Sequence, residues 1–74
     1  MRKLTEIEQY VVDRVREKRI HSGLTQAVLS VAMELNPKFV GNVERTNTDD
    51  KYNINHLKKI SEILGCSMRD FFPE

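Results

Sequence analysis

Apolar residues recur every three or four positions along most of the chain, which is the spacing of a helix with one buried face. Ile7, Val11 and Val15 show it most clearly in the first third of the sequence. No stretch alternates apolar and polar residues for long enough to predict a strand. The pattern predicts an all-α fold whose helices span about 5–21, 26–33, 37–45, 54–64 and 68–72.

Turn formers and capping residues separate these segments. Gly23 is placed to end the first helix, and the Thr25 hydroxyl to cap the second. Asn36 is placed to cap the third helix, with Pro37 at its first position, where the missing N–H has no helical partner to lose. Gly65 is placed to end the fourth helix.

The second and third segments are two short helices joined by a three-residue turn at 34–36. This arrangement is typical of the helix-turn-helix, in which the second helix enters the major groove of DNA. Two helices that cross this closely need small or aliphatic residues where they face each other. The positions that meet this need are Leu29, Ser30, Leu35, Val40 and Val43.

Length and charge add two constraints. A chain of 74 residues has room for one domain, 1–74, with a small core. Its net charge of +1 is low for a nucleic-acid-binding protein. Four basic residues nevertheless cluster between positions 14 and 19, which suits either a DNA-binding face or an ordinary solvated helix face.

Several function classes find no support in the sequence. There is no apolar run of membrane-spanning length and no apolar run typical of a signal peptide, and the single Cys66 cannot form an internal disulfide. We therefore expect a cytoplasmic protein with no membrane partner. Cys66, His21 and His56 lack the spacing of a zinc site, and no catalytic triad or phosphate-binding glycine loop is recognisable. We expect neither an enzyme nor a metal or cofactor.

The sequence resembles the phage repressor and Cro-type helix-turn-helix proteins, also called XRE-type regulators. The resemblance starts in RVREKRI (14–20), runs through GLTQAVL (23–29) and reaches VER (43–45) without a gap. A second stretch, LKKISEILGCS (57–67), is similar to that family's fourth helix and the start of its fifth. The resemblance covers roughly residues 11–72. It implies a compact five-helix, lambda-repressor-like DNA-binding domain with the helix-turn-helix at helices 2 and 3.

The resemblance also implies residues that contact the DNA backbone. Gln26 would bind a phosphate at the start of helix 2, where free N–H groups favour an anion. Asn36 would serve as both helix cap and DNA contact, and Arg45 is expected on the DNA backbone. The alternative for these polar residues is that they simply solvate the surface.

Base reading is expected from the third helix. Pro37, Lys38, Gly41 and Asn42 fall where the family places its base-reading side chains. Lysine can donate to guanine acceptors, and asparagine can form two hydrogen bonds with adenine. Because Pro37 and Gly41 have no side chain that hydrogen-bonds a base, Lys38 and Asn42 are the expected readers.

Arg19 and Glu44 occupy positions that form a partly buried ion pair in similar repressors. It would tie helix 1 to the end of helix 3, and we interpret the pair as structural. Three positions depart from the family: Glu34 and Thr46 replace usual glycines, and Gly41 lies inside the recognition helix. A positive φ at Glu34 would cost roughly 1 kcal/mol. Gly41 either permits a close approach or marks a domain that no longer reads DNA.

Two functions remain open. The first is sequence-specific binding of double-stranded DNA by a transcriptional regulator, a repressor, acting as a homodimer on a near-palindromic operator; its two recognition helices would lie about 34 Å apart. An exposed Phe72, together with Ile54, Ile63 or Met68, would suit the homodimer interface; the alternative is that these residues complete the core of the monomer. The alternative is a protein-interaction module, such as an antitoxin-like domain that binds a partner protein. An exposed apolar groove without a basic face would favour this alternative.

Overall fold

The computed structural model describes residues 3–74, so Met1 and Arg2 of the predicted domain lie outside the described residues. Within 3–74 the chain forms four α-helices, one 3-10 helix and no strand. The α-helices are α1 (Glu6–His21), α2 (Gln26–Ala32), α3 (Phe39–Glu44) and α4 (Ile54–Leu64), and the 3-10 helix spans Met68–Phe71. The predicted all-α class is confirmed.

The predicted fifth α-helix is wrong: residues 68–71 form one 3-10 turn. The Ser67 hydroxyl accepts from the Arg69 N–H, and the Asp70 carboxylate accepts from the Ser67 N–H, so the turn begins as a capping box. Phe72 then adopts an extended backbone. A residue that precedes proline is disfavoured in helical conformation, and Pro73 therefore stops the turn before an α-helix can form.

The third helix begins two residues later than the sequence predicts. Asn36 does not cap it directly, because its side-chain oxygen accepts from the Lys38 N–H at 2.9 Å, while its carbonyl accepts from the Phe39 N–H. These bonds close a tight turn around Pro37 and Lys38 before the helix starts at Phe39. The asparagine side chain has formed a local turn in competition with the first helical turn.

The turn between α2 and α3 has the positive φ that is usual for glycine, but a glutamate occupies the position. Glu34 has a φ of +63° and is the single non-glycine residue with positive φ among those described. The Glu34 and Leu35 N–H groups bond the Val31 and Ser30 carbonyls, which close the end of α2. The departure from the family at this position therefore carries the expected strain of roughly 1 kcal/mol.

The core lies where α1 packs against α3, α4 and the 3-10 helix, and α2 completes it by packing on α3 and α4. Its largest fully buried side chains are Phe71, Leu29, Ile60, Val12, Val15, Val40 and Val43. Because α2 and α3 have only seven and six residues, they are too short to be stable alone and depend on this packing.

Ser30 joins α2 to α3 through hydrogen bonds as well as by its small size. Its side chain is fully buried, its hydroxyl donates to the Gln26 carbonyl at 2.8 Å, and it accepts from the Val40 N–H at 2.9 Å. Val40 lies in the first turn of α3, where backbone N–H groups have no partner within the helix. Ser30 therefore satisfies a buried donor at the start of α3.

We expect Ser30→Ala to lower the free energy of unfolding by about 2 kcal/mol, because it leaves the buried Val40 N–H without a partner. Ser61→Ala is the matched control: Ser61 is also buried, but its hydroxyl only donates to the Lys58 carbonyl of its own helix. Urea unfolding should show a change within about 0.5 kcal/mol for Ser61→Ala. Equal losses in the two variants would contradict the proposed role of Ser30.

His56 makes the start of α4 sensitive to pH. Its Nδ1 accepts from the Asn53 N–H at 3.0 Å, and Asn53 Oδ1 accepts from the His56 N–H at 2.7 Å. The imidazole packs on the Phe39 ring, with 4.7 Å between ring centroids. Burial lowers the pKa of His56 below its ordinary value of 6.5. Protonation both removes the acceptor at Nδ1 and charges a partly buried ring.

Because the pKa of His56 is lower in the folded than in the unfolded state, its contribution to stability is complete above pH 6.5 and is lost as the pH falls through the folded-state pKa. We expect the free energy of unfolding to decrease as the pH is lowered from about 7.5 to about 5.5. The steepness of this decrease should correspond to the uptake of at most one proton per molecule on unfolding. His56→Gln keeps a capping acceptor that does not titrate and should flatten this dependence. An unchanged slope in His56→Gln would show that other groups cause it.

Candidate nucleic-acid interface

A buried carboxylate connects three parts of the fold behind the candidate interface. Glu44, the last residue of α3, accepts from Arg19 at both oxygens: Nη2 to Oε1 at 2.8 Å and Nε to Oε2 at 2.9 Å. The two side chains are 3% and 9% exposed. Arg19 Nη1 also donates to the Leu24 carbonyl at 2.8 Å. The pair expected from the resemblance therefore joins α1, the loop before α2 and the end of α3.

Two further side chains reach Glu44 from the solvent side. Gln26 Nε2 donates to Glu44 Oε1 at 2.9 Å. Arg16 Nε lies 3.7 Å from the same oxygen, and its side chain is 57% exposed. Glu44 is thus surrounded by groups that compensate its buried charge, which is the condition under which burial of a charge is tolerated.

We expect Glu44→Ala to lower the free energy of unfolding by about 3 kcal/mol, because the Arg19 guanidinium stays buried without its partner. Glu44→Gln should lose less, since it keeps an oxygen acceptor. The control is Glu62→Ala, which removes an exposed pair with Lys58 at 3.3 Å and should change stability by less than about 1 kcal/mol. An unchanged melting temperature in Glu44→Ala, together with loss of DNA binding, would contradict the structural assignment.

Most of the predicted DNA-contacting residues lie together around one open depression. It has a volume of about 620 Å³ and lies between α1, the start of α2 and the exposed face of α3. It brings together Gln26, Pro37, Lys38, Gly41, Asn42 and Arg45, and adds Arg16, Ala27 and Glu44. Asn36 is exposed in the turn and does not line the depression.

The depression is basic although the chain as a whole is nearly neutral. Arg16, Lys38 and Arg45 contribute three cations to its lining. The acidic residue in the same lining, Glu44, is paired with the buried Arg19. The low net charge of the sequence therefore conceals a local excess of positive charge, which is the property that attracts a polyanion.

Sequence reasoning assigned no individual role to Arg16. It counted this residue only as part of the basic cluster at 14–19. The available signal was its spacing: Arg16 precedes Arg19 by three residues, and residues three apart share a helix face. Because Arg19 points at Glu44, Arg16 lies on the same side of α1 and reaches the rim of the depression.

The residues once considered for metal or nucleophilic chemistry lie elsewhere. Cys66 lines a separate cleft with Lys18 and His21, and burial raises the pKa of its thiol, which disfavours the reactive thiolate. Residues 3–74 contain no group of three or more side chains placed to hold a metal ion. No helix in that range is long and apolar enough to cross a membrane.

Comparisons with known proteins bear on this geometry. No family model matches the chain, and no curated protein matches its sequence. Among solved structures, the chain is similar to the restriction-modification controller protein C.AhdI from Aeromonas hydrophila, with a TM-score of 0.71 and 28% sequence identity. The similarity covers 85% of this chain and 92% of that one. The predicted helix-turn-helix domain is confirmed, and the similarity is consistent with the XRE type. The matched protein is a controller protein by name, in agreement with the expectation that this chain is not an enzyme.

Proposed function

We propose that this chain binds double-stranded DNA sequence-specifically as a transcriptional regulator, a repressor that acts in the cytoplasm as a homodimer on a near-palindromic operator. The observation that carries the proposal is the basic depression, in which the exposed face of α3 stands beside Arg16 and Gln26. The similarity of the chain to a restriction-modification controller protein supports a regulatory role.

In this proposal, α3 enters the major groove, and bases are read by Asn42 of α3 and by Lys38, which directly precedes the helix. Both residues line the depression beside the exposed face of α3. Lys38 donates to guanine acceptors, and Asn42 forms paired bonds with adenine. Pro37 contributes apolar contact, which suits a thymine methyl group.

The backbone contacts come from residues around the rim. Arg16 and Arg45 carry the charge, while Gln26 and Asn36 offer side-chain N–H groups to phosphate oxygens. Such contacts fix the position of α3 in the groove and supply much of the affinity, which therefore falls as the salt concentration rises.

The homodimer is supported by an apolar groove between α1 and α4. Ile7 and Ile54 are 51% and 71% exposed, and both line this groove of about 560 Å³ together with Phe72. One ion pair, between Lys51 and Glu8 at 2.6 Å, lies in its lining. A two-fold interface brings the same surface of both copies together, and a surface that carries one acid and one base can pair with itself.

The same groove also suits a partner protein, which is the second candidate function. An apolar groove without a basic face would favour this second function over DNA binding. Here a basic depression accompanies the groove, and this combination favours DNA binding by a self-associating domain.

The test is selection of bound sequences from a random duplex library at low salt, performed with the wild type, Asn42→Ala and Asn55→Ala. We expect a near-palindromic motif with half-sites about one DNA turn apart. Asn42→Ala should weaken the preference at one base pair of each half-site by about 1–3 kcal/mol. Asn55, an exposed residue of α4 away from the depression, is the control and should leave the motif intact.

The possible negative results of this selection contradict different parts of the proposal. Absence of any enriched motif would contradict sequence-specific binding and favour the protein-interaction module. A motif with a single half-site would contradict the homodimer. A motif whose preferences survive Asn42→Ala would contradict the assignment of Asn42 as a reader.

A further inference from the structure

Gly41 lies in the middle of α3 without a conformational reason to be glycine. Unlike Gly23 and Gly65, it does not have a positive φ. Glycine is the poorest helix former other than proline, and α3 has only six residues. Some other requirement must exclude a side chain at this position.

The requirement is the space that the Gln26 side chain occupies. A Cβ atom added to Gly41 would lie 3.0 Å from Gln26 Oε1 and 3.6 Å from Gln26 Cδ, and would approach no other group as closely. The carboxamide of Gln26 therefore lies directly on the bare backbone of Gly41. A side chain at position 41 would push this carboxamide aside by at least a few tenths of an ångström.

The other end of the same carboxamide is held by Glu44. Gln26 Nε2 donates to Glu44 Oε1 at 2.9 Å, and Arg19 fixes this carboxylate in turn. Only the NH₂ group can face a carboxylate, so the carbonyl oxygen must face Gly41. The second N–H of Nε2 has no hydrogen-bond partner among the described residues and remains available for an acceptor.

We propose that Gly41 is a positioning residue. Because Gly41 has no side chain, the Gln26 carboxamide fits against its backbone, in a position called the seat below, and stays in one orientation with the second N–H of Gln26 Nε2 presented to a DNA phosphate. A side chain fixed before binding loses less conformational entropy on binding than a mobile one. The seat can be tested on the free protein, and the phosphate contact rests on the proposed DNA-binding function.

The proposal makes stability and binding respond in opposite directions to Gly41→Ala. Alanine favours the helix, and the displaced group is the end of a flexible side chain, so the variant folds. We expect its melting temperature to rise by about 4 °C while its affinity for DNA falls about tenfold. A merely structural glycine would move both quantities in the same direction.

The free protein is tested by NMR of the side-chain amide groups. The chain has two glutamines, Gln9 and Gln26. Gln9 Nε2 donates to Asp13 within α1, away from Gly41, and is the internal control. In Gly41→Ala the NH₂ resonances of Gln26 should move toward the positions of a mobile glutamine, while those of Gln9 stay. Unchanged Gln26 resonances would show that Gly41 does not position the Gln26 carboxamide, whether or not the chain binds DNA.

Binding is tested by a double-mutant cycle on the duplex selected from the library. Gly41→Ala and Gln26→Ala should each weaken binding about tenfold, and the double variant should bind no more weakly than Gln26→Ala alone. Additive losses would mean that Gly41 acts on DNA independently of Gln26, which overturns the proposal. Wild-type affinity in Gly41→Ala would do the same while leaving the proposed function intact. If no duplex binds the wild type, the proposed function fails. The Gln26 resonances alone then decide whether Gly41 positions the Gln26 carboxamide.

Discussion

The buried ion pair between Arg19 and Glu44 is the constraint on which the arrangement of the interface depends. The pair connects α1 to the end of α3, and through Leu24 it fixes the loop that leads into α2. Each of these elements contributes to the basic depression, so their relative positions are set by one carboxylate. Isolated removal of either partner would leave a buried charge uncompensated. The net contribution of such a pair to stability is small even so, because the cost of desolvating two charges offsets most of their attraction.

Helix α3 is stabilised by its contacts with the rest of the fold more than by its own helix propensity. It is short, it contains a glycine, and its N-cap residue, Lys38, makes no capping hydrogen bond with its side chain. Ser30 supplies a partner for the Val40 N–H, and the hydrophobic residues Val40 and Val43 anchor the inner face in the core. Its outer face is thereby free to carry residues chosen for a ligand. A helix of low intrinsic stability can therefore hold Asn42, with Lys38 directly before it, on the side that lines the depression.

The sequence predicted what depends on local spacing. Helix faces and the glycine stops follow from periodicity and chain geometry, and the resemblance marked Glu34 as a position where glycine is usual, without deciding its φ. The start of α3 was misplaced because the Asn36 side chain closes its own turn, and pattern alone does not decide which of two local hydrogen bonds forms. Ser30 was predicted only as a small residue between the helices, and its hydrogen bond with the Val40 N–H, like the contact of Gly41 with Gln26, could not be predicted because each depends on an atom from another helix. Gly41 had been a reason to doubt DNA binding, and its contact with Gln26 gives it a physical explanation.

The central claim is that the depression between α1, α2 and α3 is where this chain meets DNA. The most direct measurement is titration of the ¹⁵N-labelled chain with a short duplex of arbitrary sequence at low salt, where contacts to the phosphate backbone dominate binding. Amide shifts should change most at Arg16, Gln26, Asn36 and residues 38–45, and the changes should diminish as salt is added. Changes centred on Ile54 and the apolar groove, or no changes at all, would contradict the claim.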